Sequence, residues 1–199
     1  MKEERKSMLI VISGPSGTGK GTICERLLAE DPSLTFSVSA TTRYQRENEI
    51  GGVHYHFISE EKYDQLLKED AFLEHATVHA HRYGTLKSQV QQLMDQGLNV
   101  VLDIDPQGAR EVMRQRPDCV SIFILPPSYA ALRVRLHTRN TDDPREIERR
   151  LGNAKGEIDQ MNRYQYAVVN DDLELAYQQV AGIIAAEKQR TARFTPVIE

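Results

Sequence analysis

Cysteine is scarce in this chain: Cys24 and Cys119 are the only two among 199 residues. A single, widely separated pair builds no disulfide framework and matches none of the spacings that hold zinc. Long apolar runs are also missing. The one near the start, Met8 to Ile12, follows a charged stretch and stops at a glycine-rich turn. It is too short for a secretory h-region or a membrane span. Neither sign of charge dominates, with 29 acidic against 25 basic residues and a net charge of -4. No global field therefore draws the protein to a nucleic-acid polymer or a membrane surface. Repeats and low-complexity linkers are absent as well. What remains is an ordinary globular composition, 40% apolar and 27% charged, long enough for one core with an inserted substructure. A cytoplasmic location is the default expectation; oligomeric state is left open, a homo-oligomer included.

Buried β-type runs alternate with helical patterns. Leu9–Ser13 leads through a glycine-rich turn into a helix with Ile23, Leu27 and Leu28 on one face. The run from Asn99 to Asp105 leads through Pro106 into a helix, and Val120–Leu125 does so after Pro126-Pro127. Tyr166–Asn170 precedes a final helix from about Asp172 to Arg190. Strands apolar on both faces, separated by helices, predict an α/β fold with a parallel sheet flanked by helices. Two segments break the rhythm. Residues from about 37 to 84 alternate polar and aromatic side chains and predict a small mixed sheet with a helix near Glu60–Glu69. Residues from about 135 to 160 are highly charged and helical, a pattern that packs little and moves readily. The parallel core is then about 1–36, 85–134 and 161–199.

The glycine-rich turn reads Gly14-Pro15-Ser16-Gly17-Thr18-Gly19-Lys20-Gly21-Thr22. It satisfies G-x-x-x-x-G-K, the loop whose backbone N–H groups wrap a polyphosphate at a helix N-terminus. Lys20 adds a positive charge where a transferred phosphoryl group becomes more negative. Gly21 stands where such loops usually carry the Ser or Thr that meets Mg²⁺. At the carboxyl end of the second run, Asp103 or Asp105 is placed to organise Mg²⁺ through water, in the manner of a Walker-B acid. Alternatively, Asp105 caps the helix that Pro106 begins; both roles can hold, one for each carboxylate. The His54/His56 and His79/His81 pairs fall on single strand faces, yet no Cys or carboxylate cluster accompanies them, and they read as surface histidines.

Further motifs follow in order: Ser37-Val-Ser-Ala-Thr-Thr-Arg43, Arg46 and Glu49, Tyr55-His-Phe-Ile-Ser59, Phe72-Leu-Glu74, Tyr83-Gly-Thr85, Leu102-Asp-Ile-Asp105 with Gln107-Gly-Ala109, and Val168-Val-Asn-Asp-Asp172. Taken together, from about residue 8 to 187, the chain resembles the guanylate kinases. The resemblance implies an ATP:GMP phosphotransferase, with residues 37–84 as a GMP-binding lobe and 135–160 as a lid. It implies Mg²⁺ as cofactor, held mainly by phosphates and water, so that Gly21 is a family trait. It further implies that Arg43 and Arg46 clamp the GMP phosphate, assisted by Tyr55 and Tyr83. Glu74 would accept from guanine, with Ser39, Gly84, Thr85 and Asp105 completing the pocket. Arg135, Arg139 and Arg150 match lid arginines that close over the phosphates, and Asn170 matches a position bordering adenine.

Departures from the family pattern lie in the GMP-binding lobe. Gln45 stands where proline is usual, Asn48 replaces a frequent glycine, and Arg82 adds a cation beside the expected phosphate site. Arg145 and Arg149 read as a solvated helix face. Two alternatives compete with the enzyme: a non-catalytic module of the same fold that binds proteins, and a P-loop kinase for another small acceptor. Such modules lose the loop lysine and the lid arginines, which this chain keeps; Glu74, Ser39 and Thr85 argue for a guanine acceptor.

Overall fold

A computed structural model of the protein describes residues 3–47, 49–78, 81–138 and 144–196. Its elements are, in order, β1 (Glu3–Arg5), β2 (Leu9–Ser13), α1 (Lys20–Glu30), β3 (Leu34–Phe36), β4 (Ala40–Thr41), β5 (His56–Phe57) and α2 (Glu60–Lys68). Then come β6 (Phe72–Val78), β7 (His81–Leu86), α3 (Lys87–Asp95), β8 (Asn99–Asp103), α4 (Pro106–Gln115), β9 (Val120–Leu125) and α5 (Tyr129–Thr138). The chain finishes with α6 (Pro144–Ile158), a 3₁₀ turn at Met161–Arg163, β10 (Tyr166–Val169), α7 (Leu173–Lys188) and β11 (Phe194–Pro196).

Five strands form a wholly parallel sheet in the order β10-β9-β2-β8-β3. Its central strand is buried at every position. Because side chains alternate along a strand, Ile10 and Ile12 join one apolar layer with Ile23 and Leu27 of α1 and Val180 and Ile184 of α7. Leu9 and Val11 join the opposite layer with Val90 of α3 and Ala109 and Val112 of α4. Both faces are thus covered, which is why the strands carry almost no polar side chains. On α1 the fully buried face includes Cys24, while Leu28, expected there, only packs partly against the layer. Both cysteines are buried free thiols.

A four-stranded mixed sheet, β5-β4-β7-β6, lies beside this core. Ala40, Tyr63 and Phe72 form its own small core, with α2 packed on it. Ser59 caps α2 by accepting from the Lys62 N–H, and two acidic residues occupy the first turn, as the helix dipole favours. Helices α5 and α6 share a third apolar cluster of Leu132, Leu136, Ile147 and Ala154. Three elements had no sequence signal strong enough to be expected: α3, the edge strand β3, and an antiparallel ribbon of β1 with β11. No helix among the described residues is long and apolar enough to cross a membrane.

Candidate active site

The phosphate loop connects the central strand to α1. Gly14 has φ 138°, and a Cβ there would lie 2.2 Å from the Ile124 carbonyl of β9, so only glycine lets the loop leave the sheet at this point. Thr18, fully buried, donates its hydroxyl to the Pro15 carbonyl at 2.9 Å. Gly19 precedes α1 in the left-handed region, and Lys20 is the first helical residue. Gly21 and Thr22 follow in the first turn, whose N–H groups lack intrahelical acceptors and make a helix start suited to an anion. The Lys20 ammonium donates to the Gly14 carbonyl at 2.6 Å and the Pro15 carbonyl at 3.1 Å. Burial lowers its pKa, opposed by the carboxylates of Asp103 and Glu157.

Asp103 ends β8 opposite Ile12 of β2, one residue before that strand gives way to the loop. Its Oδ2 lies 3.7 Å from the position a Cβ would take on Gly21. Asp105 caps α4: its Oδ1 accepts from the N–H groups of Gln107 and Gly108 at 2.7 and 3.0 Å, with Pro106 at the first helical position. The capping alternative is thus what the geometry gives Asp105, while Asp103 carries the carboxylate beside the phosphate loop.

On the mixed sheet, Glu74 of β6 is 5% exposed, and the Thr85 hydroxyl of β7 donates to its Oε1 at 2.6 Å. Burial pushes the Glu74 carboxyl up to about 7, against the pull of the Thr85 hydrogen bonds. Ser39, Tyr55, Thr85 and Asp103 line one pocket of about 230 Å³. Gly84 is buried between Ala40 and His75 in the sheet. The Arg43 guanidinium makes a two-pronged contact with Glu49, Nη2 to Oε1 at 2.7 Å and Nη1 to Oε2 at 3.1 Å. Its carbon sits 5.5 Å from the centre of the Tyr55 ring, and Tyr55 meets Tyr83 edge-on at 5.9 Å. Arg43 and the Arg46 backbone N–H hold the Glu49 carboxyl down at about 2. Gln45 closes the same loop by donating to the Glu49 carbonyl, a role the usual proline could not perform.

Arg82 does not stand beside this cluster. It pairs with Glu60 and Asp64 of α2 and lies 4.1 Å from the Tyr63 ring centre. The expectation of an added cation at the phosphate site fails because strand alternation sends Arg82 and Tyr83 to opposite faces of β7. Asn170, the position whose motif match implies a place beside adenine, braces the phosphate loop. It is 3% exposed, its Nδ2 donates to the Thr18 carbonyl at 2.8 Å, and a Cβ on Gly19 would strike that nitrogen at 2.5 Å. Its Oδ1 is buried without a hydrogen-bond partner among the described residues.

From α6, Arg150 donates to the Ser16 hydroxyl of the phosphate loop at 2.9 Å. Arg135 of α5 donates to the Asp171 carbonyl at 3.4 Å and keeps Nη1 buried without a partner among the described residues. Arg139, Asn48 and His79 lie outside the described residues. His54 is exposed, while His56 and His81 are half-buried. No group of His, Cys, Asp or Glu able to hold a metal occurs among the described residues. A cleft of about 760 Å³ runs between α6 and the rest of the protein, lined by Ser16, Thr77, Asp105, Arg149, Arg150 and Glu157. Arg149, which reads as a solvated position in the sequence, is an exposed wall of this cleft. Glu157 carried no signal in the sequence; burial raises its pKa, opposed by the charge of Lys20.

The guanylate kinase family model matches residues 6–187. A guanylate kinase of Symbiobacterium thermophilum is 48% identical over 193 residues, 97% of this chain and 92% of its own length. One from Clostridium perfringens is 47% identical, over 96% of this chain and 88% of its own length. The crystal structure of guanylate kinase from Anaplasma phagocytophilum superposes with a TM-score of 0.76 at 32% identity, covering 98% of this chain and 93% of that one. With the family matched along nearly the whole chain and the phosphate loop and mixed sheet in place, this protein belongs to the guanylate kinases.

Proposed function

We propose a division of labour among these residues for the reaction this chain catalyses, the phosphorylation of GMP to GDP, with ATP as phosphoryl donor. The observation that carries it is the position of Asp103. Its carboxylate borders the phosphate loop at Gly21 and also lines the pocket of Ser39, Tyr55 and Thr85. The loop and the acceptor pocket are therefore neighbours across one side chain at the carboxyl edge of the parallel sheet, where such sheets bind ligands.

In this reading Gly14–Thr22 holds the ATP phosphates through backbone N–H groups, with Asn170 fixing the loop and offering its buried Oδ1 toward the nucleotide. Arg43, Arg46, Tyr55 and Tyr83 bind the GMP phosphate. For Arg43 this means exchanging one anionic partner, Glu49, for another or sharing its fork between them. Ionised Glu74 accepts from guanine N1–H and the exocyclic amine, with Ser39, Thr85 and Asp105 around the base. An oxygen of the GMP phosphate then attacks the γ-phosphorus while the bond to the β–γ bridging oxygen breaks, releasing ADP. No protein nucleophile is required, since in-line transfer depends on positioning and charge. Lys20 leaves the Gly14 and Pro15 carbonyls for the phosphates, and Arg135, Arg139 and Arg150 neutralise the charge that develops. Residues 37–84 serve as the GMP-binding lobe and 135–160 as the lid. The test is ADP release with GMP, dGMP, AMP, CMP and UMP as acceptors. Turnover of AMP equal to that of GMP defeats this assignment of the pocket.

Mg²⁺ fits the donors present. The Asp103 carboxylate faces the loop at Gly21, and among the described residues no cluster could hold the ion by itself. Mg²⁺ takes few protein ligands and keeps several waters, so Asp103 would meet it through water and the phosphates would hold the rest. Bound there, the ion supplies charge neutralisation to the phosphates. A hydroxyl at position 21 is then optional. The 3.7 Å approach to Asp103 is an ordinary contact that admits a serine, and serine suits a helix start at least as well as glycine. The Gly21→Ser variant is expected to keep kcat within about tenfold of wild type and an absolute need for Mg²⁺. A Mg²⁺ titration of both proteins at fixed ATP and GMP checks this; a 10²-fold gain would mark the natural loop as metal-deficient.

The lid assignment predicts a different kinetic signature. Arg150 touches the loop from a helix whose own core is small, so its contacts with nucleotide depend on closure. Arg150→Ala should lower kcat by roughly 10²-fold and KM for ATP by little. Steady-state kinetics decides: a loss through KM with kcat unchanged would assign Arg150 to ground-state binding only. A cytoplasmic site of action suits such nucleotide substrates.

A further inference from the structure

Gly108 lies buried in the first turn of α4. A Cβ built on it would stand 2.6 Å from Glu74 Oε2 and 3.2 Å from the Glu74 carboxyl carbon. Real Cβ atoms do not approach so closely, so with any side chain at 108 either the helix or the carboxylate must shift. The helix is firmly held. Its Gly108 N–H is bonded to the Asp105 cap at 3.0 Å, and its neighbours Ala109 and Val112 are fully buried against the sheet. Glu74 is the free end of a flexible side chain, fixed chiefly by the 2.6 Å hydrogen bond from Thr85. The carboxylate is therefore the group that moves.

We propose that Gly108 is a positioning residue for base recognition. Its bare α-carbon leaves the space that Glu74 Oε2 occupies, and so sets the direction in which the carboxylate presents its oxygens to the acceptor base. The proposal rests on Glu74 being the guanine acceptor. It also explains why a residue with poor helix propensity occupies a buried helical position. By propensity alone alanine would be the better choice there, so the cost of substitution falls on recognition and not on folding. A displacement of about 1 Å in a binding group can cost 10²-fold.

The experiment compares wild type, Gly108→Ala, Glu74→Asp and the double variant, with Gly182→Ala as a control. Gly182 lies in α7 with nothing within 4 Å of a built Cβ. Gly108→Ala is expected to lose about 10²-fold in kcat/KM for GMP through KM. KM for ATP should stay within about twofold, and Tm should shift by no more than in the control. Aspartate is one methylene shorter and vacates the contested space, so in that background the same alanine should cost less than about threefold. If Gly108→Ala alone does not fold, recovery of folding in the double variant supports the contact, and failure of both overturns it. An equal loss in the two backgrounds, or a GMP loss under threefold in Gly108→Ala, overturns the proposal while leaving Glu74 in place. Undiminished GMP-over-AMP preference in Glu74→Ala rejects the guanine acceptor itself, and the proposal with it.

Discussion

Lys20→Met should lower kcat by on the order of 10³-fold at saturating ATP and leave the fold intact. The ammonium is bonded to the loop proposed to hold the phosphates, and the low-dielectric surroundings that depress its pKa also magnify its effect on a developing charge. It is bonded to two loop carbonyls, of which that of Pro15 keeps the Thr18 hydroxyl as a donor in the variant. Methionine matches the length of the stem and the helix propensity of lysine. Removing a desolvated cation also takes away a cost of folding. A melting curve close to that of wild type is therefore expected beside the collapse in turnover. A variant retaining more than a tenth of wild-type kcat would remove Lys20 from the transition state.

The second large effect concerns Glu74. A site built around a substrate's donors can discriminate by roughly 10⁴, so Glu74→Ala should lose most of its kcat/KM for GMP while the slow rate with AMP hardly changes. The elevated pKa adds a pH dependence whose direction follows from burial. With the folded pKa at about 7 and an ordinary value of 4.5, the carboxyl is largely protonated below neutrality and cannot accept two hydrogen bonds. GMP binding must then release a proton, so kcat/KM for GMP should fall about tenfold per unit below pH 7. The GMP phosphate itself titrates near pH 6, but that contribution survives in Glu74→Ala, and the difference between the two profiles isolates the carboxylate. The same shift acts on stability. Because the folded pKa is raised, the stabilisation is full below about pH 4.5 and is lost as pH rises through about 7. Glu74→Gln should therefore melt higher than wild type at pH 8. Matching GMP profiles in wild type and Glu74→Ala would show that Glu74 does not govern the pH dependence.

The parallel core could be read from the sequence because its strands are long, apolar on both faces and closed by clear breakers. Leu9–Ser13, Val120–Leu125 and the Asp105-Pro106 helix start all follow from local chemistry. The phosphate loop was equally legible, since its glycines and lysine keep a fixed local spacing between an apolar strand and a helix, although the groups that crowd Gly14 and Gly19, Ile124 and Asn170, lie far along the chain. What escaped depends on partners distant in sequence. The β1–β11 ribbon pairs Arg5 with Phe194, a match that no local pattern announces. The edge strand β3 has only Leu34 to Phe36 to signal itself. Arg82 was misplaced because its proximity in sequence to Tyr83 says nothing about the face it takes. The motif that marks Asn170 says nothing of its buried bond to Thr18, which follows from where β10 ends. Glu157 acquires interest only because α6 brings it near Lys20. The pair of Gly108 and Glu74 is likewise invisible until both are placed in space.

The central place of β2 has a consequence for how the molecule comes into being. Leu9 pairs with Val100 and Ile10 with Val120, so the strand that carries the phosphate loop waits for neighbours made about a hundred residues later. Such non-local parallel pairings close long loops before they return any contact, and folding of this kind is slow. A ribosome extending the chain at about 5–20 residues per second leaves β2 unpaired for several seconds. During that interval an apolar strand with two open edges is available to any other chain. The nucleotide site can therefore form only after β8 and β9 have emerged, so catalytic competence is among the last properties a nascent molecule acquires.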